Sequence, residues 1–243
     1  MKTIIVNIAT ALLILNRVAA EETQTEPQPV SVTLSSVVAN KYLFSASGLE
    51  LSRDPVVQTD LYVNFRNGIY ADLWASRSLK GKWDDGGLGN EIDYGIGWNG
   101  TIKGLTAHIG VTYFDEPKSF AFGAGDILYS HVRIGNDFKH LSLTLGYENL
   151  TPLPDSGFQG GNIVSLTASK TFPLWNDKVT LPASLSAVYD SGTAGSERGL
   201  FIKGTAGVNW NATKRLTVNL LSVSYFIREK SDAMFGTGVT WNF

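Results

Sequence analysis

The chain has 243 residues, of which 20 are basic and 22 acidic, so its formal net charge is -2. This balance argues against a nucleic-acid partner, which would favour a basic excess. The absence of cysteine excludes disulfide bonds and thiolate metal ligands, and a hydrophobic content of 43% is too low for a bundle of membrane-spanning helices.

The first 20 residues are typical of a secretory signal peptide. Residues 4–15 are apolar, and small residues around Ala20 form a suitable cleavage site. A membrane anchor helix is the alternative, but the apolar run is too short to span a bilayer and Asn16 interrupts it. We therefore expect cleavage near Ala20, followed at residues 21–29 by a polar, proline-bearing and disordered periplasmic lead-in.

From residue 30 onward, twelve segments alternate between apolar and polar residues in the way that β-strands do. Most are close to the ~9–11 residues that a tilted membrane strand needs. The predicted strands are 30–42, 56–66, 69–78, 91–98, 105–114, 127–135, 141–150, 163–172, 179–191, 200–210, 216–226 and 234–243.

The connections between these segments alternate in length, long after short, along the whole chain. This asymmetry is typical of outer-membrane barrels, which have short periplasmic turns and longer outer loops. A soluble lipocalin-like barrel or sandwich is the alternative, but its strands would be nearer ~5–6 residues. We therefore predict an all-β fold, an antiparallel up-and-down transmembrane β-barrel of about twelve strands that occupies residues 30–243.

The closing strand also has the pattern of a membrane-barrel strand. Phe235, Val239, Trp241 and Phe243 fall on one face of it, and small or polar residues fall on the other. A C-terminal phenylalanine at the end of such a strand resembles the sorting signature of bacterial outer-membrane barrels. We expect Trp241 and Phe243 to be the signal read by the barrel-assembly machinery, and the bacterial outer membrane and its lipid to be the surroundings of the barrel.

Several short motifs embedded in the strands carry a family resemblance. They are NKYLFSASG at 40–48, Pro55 with Val57-Gln58, GIYADLWAS at 68–76, EIDYG at 91–95 and VTYFD at 111–115. Together they resemble the opening pattern of the TorF-type porins, which are small bacterial barrels, over roughly the first half of the mature chain. The usual Arg-Gly after the first strand is Ser45-Ala46 here. The resemblance implies an outer-membrane location and a pore function, and it brings no catalytic residues.

If the apolar faces of the strands meet lipid, the polar faces line the lumen. The residues expected there, along a possible solute path, are Asp60, Asn64, Arg66, Asp72, Glu91, Asp93, His108, His131, Arg133, Glu148 and Lys203. Two interpretations stay open, because opposed charges can pair across a narrow lumen and close it, or can line a path for small polar solutes. Since acids outnumber bases, an open lumen should modestly prefer cations.

His108 and His131 raise the question of catalysis. Together with Asp93 or Glu148 they could form a metal site or a Ser-His-acid hydrolase, but no Gly-x-Ser-x-Gly or His-Glu-x-x-His spacing is present. We therefore predict no enzyme, no cofactor and no metal. The sequence favours a channel for small polar solutes, then a closed barrel with a structural or surface-interaction role through its outer loops, and then a membrane-embedded enzyme.

Overall fold

The computed structural model describes residues 30–80, 90–115, 126–154, 158–175, 177–228 and 231–243. The predicted signal peptide and lead-in lie outside these residues. The strands are β1 Val30–Ala39, β2 Tyr42–Leu43, β3 Glu50–Ser52, β4 Val56–Phe65, β5 Ile69–Ser78, β6 Glu91–Ile102, β7 Leu105–Asp115, β8 Ile127–Asp137, β9 Ser142–Pro152, β10 Gly161–Leu174, β11 Val179–Asp190, β12 Gly199–Asn211, β13 Leu216–Ile227 and β14 Asp232–Asn242. A single 3-10 turn, Thr193–Gly195, follows β11. Nowhere in the described ranges is there a helix with the length and apolar character to cross a membrane.

Twelve of these strands form one closed antiparallel barrel. The order around it is β1, β14, β13, β12, β11, β10, β9, β8, β7, β6, β5 and β4. Each barrel strand pairs with the next barrel strand of the sequence, and β1 pairs with β14 to close the ring. The predicted all-β, up-and-down barrel of twelve strands is therefore confirmed.

The outer surface of the barrel is apolar because the alternation of the sequence continues through every barrel strand. Ile96, Leu145 and Leu185 are 62%, 57% and 60% exposed, although they lie in the middle of strands. The residues beside them in sequence point into the barrel. A bulge between Asn219 and Ser222 of β13 inserts one residue, and it places two consecutive leucines, Leu220 and Leu221, at the exposed outer surface.

The first long connection differs from the prediction. The predicted strand 30–42 ends as β1 at Ala39. Residues at the end of that predicted strand and in the loop after it form β2 and β3, which pair as a small hairpin. We name residues 40–54 the inner hairpin, since Tyr42, Leu43 and Phe44 at its start are buried inside the barrel. Gly48 allows the tight turn, because its φ is 73° and a Cβ there would lie 2.5 Å from the Phe226 ring.

The inner hairpin creates an apolar core inside the long-loop end of the barrel. Leu43 is 1% exposed and Phe226 is 2% exposed, and the Phe44 ring lies edge-on to Phe114 at 6.2 Å. The buried members of this core are Leu43, Phe44, Ile127, Tyr129, Leu150, Ile163, Val188, Phe201 and Phe226. Loops on a surface cannot bury apolar side chains in this way, so the first loop folds inward because its Tyr-Leu-Phe run has a core to join.

The C-terminus completes the ring at the opposite end. The backbone N–H of Phe243 donates to the carbonyl of Val32 at 2.9 Å, so the last residue is held by β1. The Trp241 and Phe243 rings lie 6.1 Å apart, with Trp241 buried and Phe243 half exposed. The two residues expected to form the assembly signal are thus neighbours at the outer rim of the seam.

Candidate functional site in the barrel lumen

The lumen has two unlike halves. Strands β4–β8 present mainly large aromatic and charged side chains, whereas β9–β12 present mainly short hydroxyl side chains besides Glu148 and Lys203. The hydroxyls of Thr167 and Ser186 are 2.8 Å apart, and those of Ser184 and Thr205 are 2.6 Å apart. Because these side chains are small and polar, their half of the lumen leaves space that water can fill.

A continuous set of rings covers the wall from β4 to β8. Tyr62 stacks on Tyr70 at 5.1 Å, Tyr70 on His108 at 4.9 Å, and His108 on His131 at 4.7 Å. Tyr129 continues the set at 5.3 Å from His131. The first three of these contacts join adjacent or next-but-one strands, so stacking links β4, β5, β7 and β8 inside the lumen.

Glycines on β6 and β7 make room for this ring set. A Cβ on Gly97 would lie 2.5 Å from the Tyr70 hydroxyl, and a Cβ on Gly110 would lie 2.0 Å from it. The ring of Tyr70 can therefore cross two strands and reach His131, whose Nε2 is 3.2 Å from the Tyr70 hydroxyl. Glycine is needed at these two inward positions because any side chain would clash with the Tyr70 side chain.

Three aspartates lie together on the same wall because of the strand register. Asp60 of β4 is opposite Trp74 of β5, which is opposite Asp93 of β6. Asp72 lies one row away, against Gly95, where a Cβ would be 1.8 Å from its Oδ1. The Oδ1 atoms of Asp60 and Asp93 are buried and have no hydrogen-bond partner among the described residues. Buried carboxylate oxygens of this kind are costly unless a cation or proton meets them.

These aspartates line a cavity of about 400 Å³ beneath the inner hairpin, which we name the acidic cavity. Strands β4–β8, Met234 and the start of the hairpin enclose it. Its lining residues are Tyr42, Leu43, Phe44, Ser45, Gln58, Asp60, Tyr62, Tyr70, Asp72, Trp74, Asp93, His108, Thr112, Phe114, Tyr129, His131, Arg133 and Met234.

The basic groups of the lumen already have partners. Arg133 donates to Glu148 at 2.8 Å and to the Tyr129 hydroxyl at 3.0 Å. Lys203 donates to the backbone carbonyl of Ser45 at 2.6 Å. The cations are therefore used within the protein, whereas the Oδ1 atoms of Asp60 and Asp93 have no partner among the described residues.

The inner hairpin is tied to the barrel by polar contacts as well as by its apolar core. The Tyr42 hydroxyl donates to the buried Glu91, and Lys41 pairs with Asp232. Burial, followed by the charges of Glu91 and Asp93, raises the pKa of Tyr42 well above its ordinary value. The phenol consequently stays protonated and can act as the donor.

The structure brings together most of the residues predicted for the lumen. Asp60, Asp72, Asp93, His108, His131 and Arg133 line the acidic cavity, and Glu148 and Lys203 line a second cavity of about 260 Å³. Glu91 contacts the hairpin. The amide oxygen of Asn64 accepts from Asn99 at 3.3 Å. Arg66, in contrast, lies in the exposed turn after β4 and lines none of these cavities, because β4 ends at Phe65.

Sequence reasoning missed the hairpin residues that cover the acidic cavity. The signal available was the Tyr-Leu-Phe run at 42–44, which is too apolar for an exposed loop, followed by Gly48. From the sequence alone, Tyr42 is assigned to the end of the first strand, and Leu43 and Phe44 to the loop after it. The true position of this run depends on the barrel being wide enough to hold a hairpin.

The two lumen histidines meet each other, with His131 Nε2 at 3.1 Å from His108 Nδ1. Tyr70 is their other partner. In the part of the chain that the structure describes, no group of three or more histidines and acids is arranged to hold a metal ion. The arrangement suits binding of polar or charged solutes, since it offers oxygen acceptors beside aromatic surfaces in a wet lumen.

Several solved structures share this fold. The NanC porin has a TM-score of 0.54 at 11% identity, and the match covers 86% of this chain and 98% of that one. The KdgM porin, solved in complex with disordered oligogalacturonate, has a TM-score of 0.56 at 10% identity, covering 88% and 99%. The translocator domain of the autotransporter NalP from Neisseria meningitidis has a TM-score of 0.56 at 13% identity, covering 99% and 97%.

These identities are low, so the likeness establishes the barrel fold and leaves the cargo open. No curated protein matches the sequence. A family model described as "Bacterial protein of unknown function (Gcw_chp)" matches residues 22–237, which is most of the chain. The chain therefore belongs to the Gcw_chp family of bacterial proteins.

Proposed function

We propose that the protein is a bacterial outer-membrane channel for small polar solutes, in which the inner hairpin narrows the long-loop end. The observation that carries this proposal is a polar lumen with cavities inside a barrel whose outer surface is apolar. A closed barrel whose outer surface is apolar on every strand needs lipid around it, and a lumen with hydroxyl and charged walls needs water. Two observations support the proposal: the fold is similar to the NanC and KdgM porins, and several motifs resemble the TorF-type porins. The family model that matches the chain does not carry the TorF name.

The proposed partners are outer-membrane lipid, the barrel-assembly machinery and small solutes, with no nucleic acid. Secretion through a signal peptide cleaved near Ala20 belongs to the same proposal. We propose no catalytic role, since the hydrogen-bond partners of the histidine pair are each other and the Tyr70 phenol, with no serine, cysteine or threonine of the described chain in contact with them.

Cation preference follows from the unequal use of lumen charges. Arg133 and Lys203 bond to Glu148 and Ser45, whereas Asp60 and Asp93 have unpartnered oxygens. In a narrow passage with little screening water, such carboxylates attract cations and repel anions. The channel should therefore pass small cations more readily than anions of equal size.

Converting both Asp60 and Asp93 to asparagine should weaken this preference without unfolding the barrel, because asparagine keeps the size and loses the charge. Planar-bilayer recordings in a salt gradient measure it as a shift of the reversal potential toward zero. Asp177 lies in the exposed turn after β10, so Asp177→Asn is the control and should leave the reversal potential unchanged. An anion-selective reversal potential in the unaltered protein would contradict the charge assignment.

Replacing Phe243 with aspartate should impair assembly, since the machinery would lose the aromatic residue at the end of the closing strand. The measurement is the fraction of heat-modifiable, membrane-inserted barrel in cells. Phe138→Asp is a matched control, because Phe138 is 53% exposed and Phe243 is 51% exposed, and both lie at the short-turn end. Equal loss in the two variants would indicate a general penalty for charge at the membrane surface and would argue against an assembly signal.

A closed barrel with a structural or surface-interaction role is the second candidate, and the apolar core beneath the inner hairpin favours it. Nine buried apolar residues meet inside the long-loop end of the barrel. The decisive measurement is whether the purified, unaltered protein conducts ions in planar bilayers. Absence of conductance in a demonstrably folded and inserted sample would favour the closed barrel over the channel.

A further inference from the structure

The acidic cavity contains buried acceptor atoms without partners, which a channel for polar solutes in general would not need. Asp93 is only 7% exposed, lines the cavity, and has an Oδ1 without a partner among the residues described. Asp60 lines the same cavity with a second such oxygen. Without a ligand, each of these two oxygens carries an unfavourable free energy of burial, because it has lost hydration and has gained no protein donor.

We propose that the acidic cavity is a binding site for a small organic cation, with one ammonium or guanidinium group attached to a short hydrocarbon part. The inference rests on the proposed function, since the ligand reaches the cavity through the lumen. It adds to that function a class of solute and the site in the lumen where that solute binds.

The acidic charge of the cavity favours a ligand with a positive group. Asp60, Asp72 and Asp93 line the cavity against the single guanidinium of Arg133, and that guanidinium is paired with Glu148. An ammonium group has three donors and no acceptor, and a guanidinium has five donors. Either group fits a wall that offers unpartnered carboxylate oxygens.

His131 gives an independent indication, because it is neither an acid nor a surface group. It is 6% exposed, lines the same cavity, and has an Nδ1 without a partner in the described chain. Its Nε2 lies 3.1 Å from His108 Nδ1 and 3.2 Å from the Tyr70 hydroxyl, so Nδ1 is the ring nitrogen that lacks a partner. The cavity therefore presents a buried, unpartnered imidazole nitrogen in addition to the carboxylates, and a polar ligand group would satisfy it.

The remaining lining accounts for the hydrocarbon part. Phe44, Trp74 and Phe114 line the cavity and give it apolar surface, which a bare inorganic ion would leave unused. Aromatic faces also attract cations directly. The volume of about 400 Å³ lies within the roughly 300–1,000 Å³ that small-molecule sites occupy. No metal-binding group of three acids or histidines is present among the described residues, which further favours an organic cation.

Four probes of graded chemistry test the assignment. Butylammonium carries the proposed charge and hydrocarbon part, butanol lacks the charge, butyrate reverses it, and magnesium ion lacks the hydrocarbon. Isothermal titration of the detergent-solubilised mature protein at neutral pH should show binding of butylammonium at least ~10-fold tighter than of the other three, as a charged hydrogen bond allows. Equal binding of butanol would indicate a site for neutral polar solutes and overturn the inference, and tighter binding of magnesium would overturn it too.

Two variants locate the binding. Asp93→Asn should weaken butylammonium binding ~10-fold or more, because one carboxylate contact is lost. Glu197→Gln removes an acid from the exposed connection after β11, outside the cavity, and should leave the affinity unchanged. Equal affinities of Asp93→Asn and the unaltered protein would place the ligand elsewhere and overturn the inference.

Bilayer recordings on the same preparations separate this site from the proposed channel. Ion conductance without butylammonium binding would remove the site and retain the channel. Binding that Asp93→Asn abolishes, in a barrel that does not conduct, would retain the site and remove the channel. Binding together with a reversible block of the ion current by butylammonium is the result expected when both assignments hold.

Discussion

Replacing residues 43–52 with a glycine-serine linker of equal length is expected to raise the ion conductance of the barrel several-fold. The replacement removes Leu43, Phe44 and the whole of β3, which lie inside the long-loop end of the barrel. The twelve barrel strands keep their backbone pairing, because β2 and β3 pair only with each other. Single-channel recordings measure the conductance, and circular dichroism with heat modifiability verifies that the barrel is folded.

A point variant of the same hairpin supplies the control. Arg53 has an 89% exposed side chain and pairs only with Glu50 at the surface, so Arg53→Ala should leave the conductance at its original value. If the linker variant is folded and conducts no better than the Arg53 variant, the hairpin is not the constriction. The apolar core would then serve stability alone.

Placing arginine at Leu145 is expected to destabilise the inserted barrel by about 2–4 kcal/mol, the cost of this residue on a lipid face near the bilayer midplane. Leu145 is on the outer face of β9 and is 57% exposed. Arginine at Thr144, the adjacent residue, should cost less, because Thr144 faces the lumen and lines cavities of about 510 Å³ and 260 Å³. Denaturant titration in lipid vesicles gives the free energy of unfolding of each variant.

The comparison is informative because the two substitutions introduce the same side chain one position apart. A general intolerance of β9 to arginine would lower both free energies of unfolding alike. Such a result would contradict the facing of the strand or the presence of lipid around it. A larger loss at Leu145 than at Thr144 is what a membrane-spanning barrel requires.

The sequence was sufficient for the barrel because its information is local. Alternation within each strand defines which side chains point outward, and the alternating connection lengths define an up-and-down order. The same alternation brought Asp60, Asp72 and Asp93 into the predicted lumen, where they line one cavity. Strand ends were less accurate: β10 spans Gly161–Leu174, although 163–172 was predicted, because pairing continues beyond the apolar residues.

The inner hairpin and the bonding of the charges could not be predicted in this way. The hairpin has a core only because strands far apart in sequence, such as those of Ile127 and Phe226, surround it. Likewise, nothing in the local pattern shows that Arg133 bonds to Glu148 while Asp93 is left with an unpartnered oxygen. The hairpin core depends on distances across the lumen, which the barrel diameter determines, and the Arg133–Glu148 bond depends on the register between β8 and β9.

The seam between β1 and β14 has a consequence for the order in which the barrel forms. Thr33 and Asn242 hydrogen-bond across it although they are 209 residues apart, whereas every other barrel pairing joins strands that follow each other in the chain. Neighbouring strands can zip together one after another, but contacts this distant in sequence come at a high loop-closure entropy and form slowly. We therefore expect ring closure to be the last event of folding, with both edges of the growing sheet open until then to any strand that can pair with them.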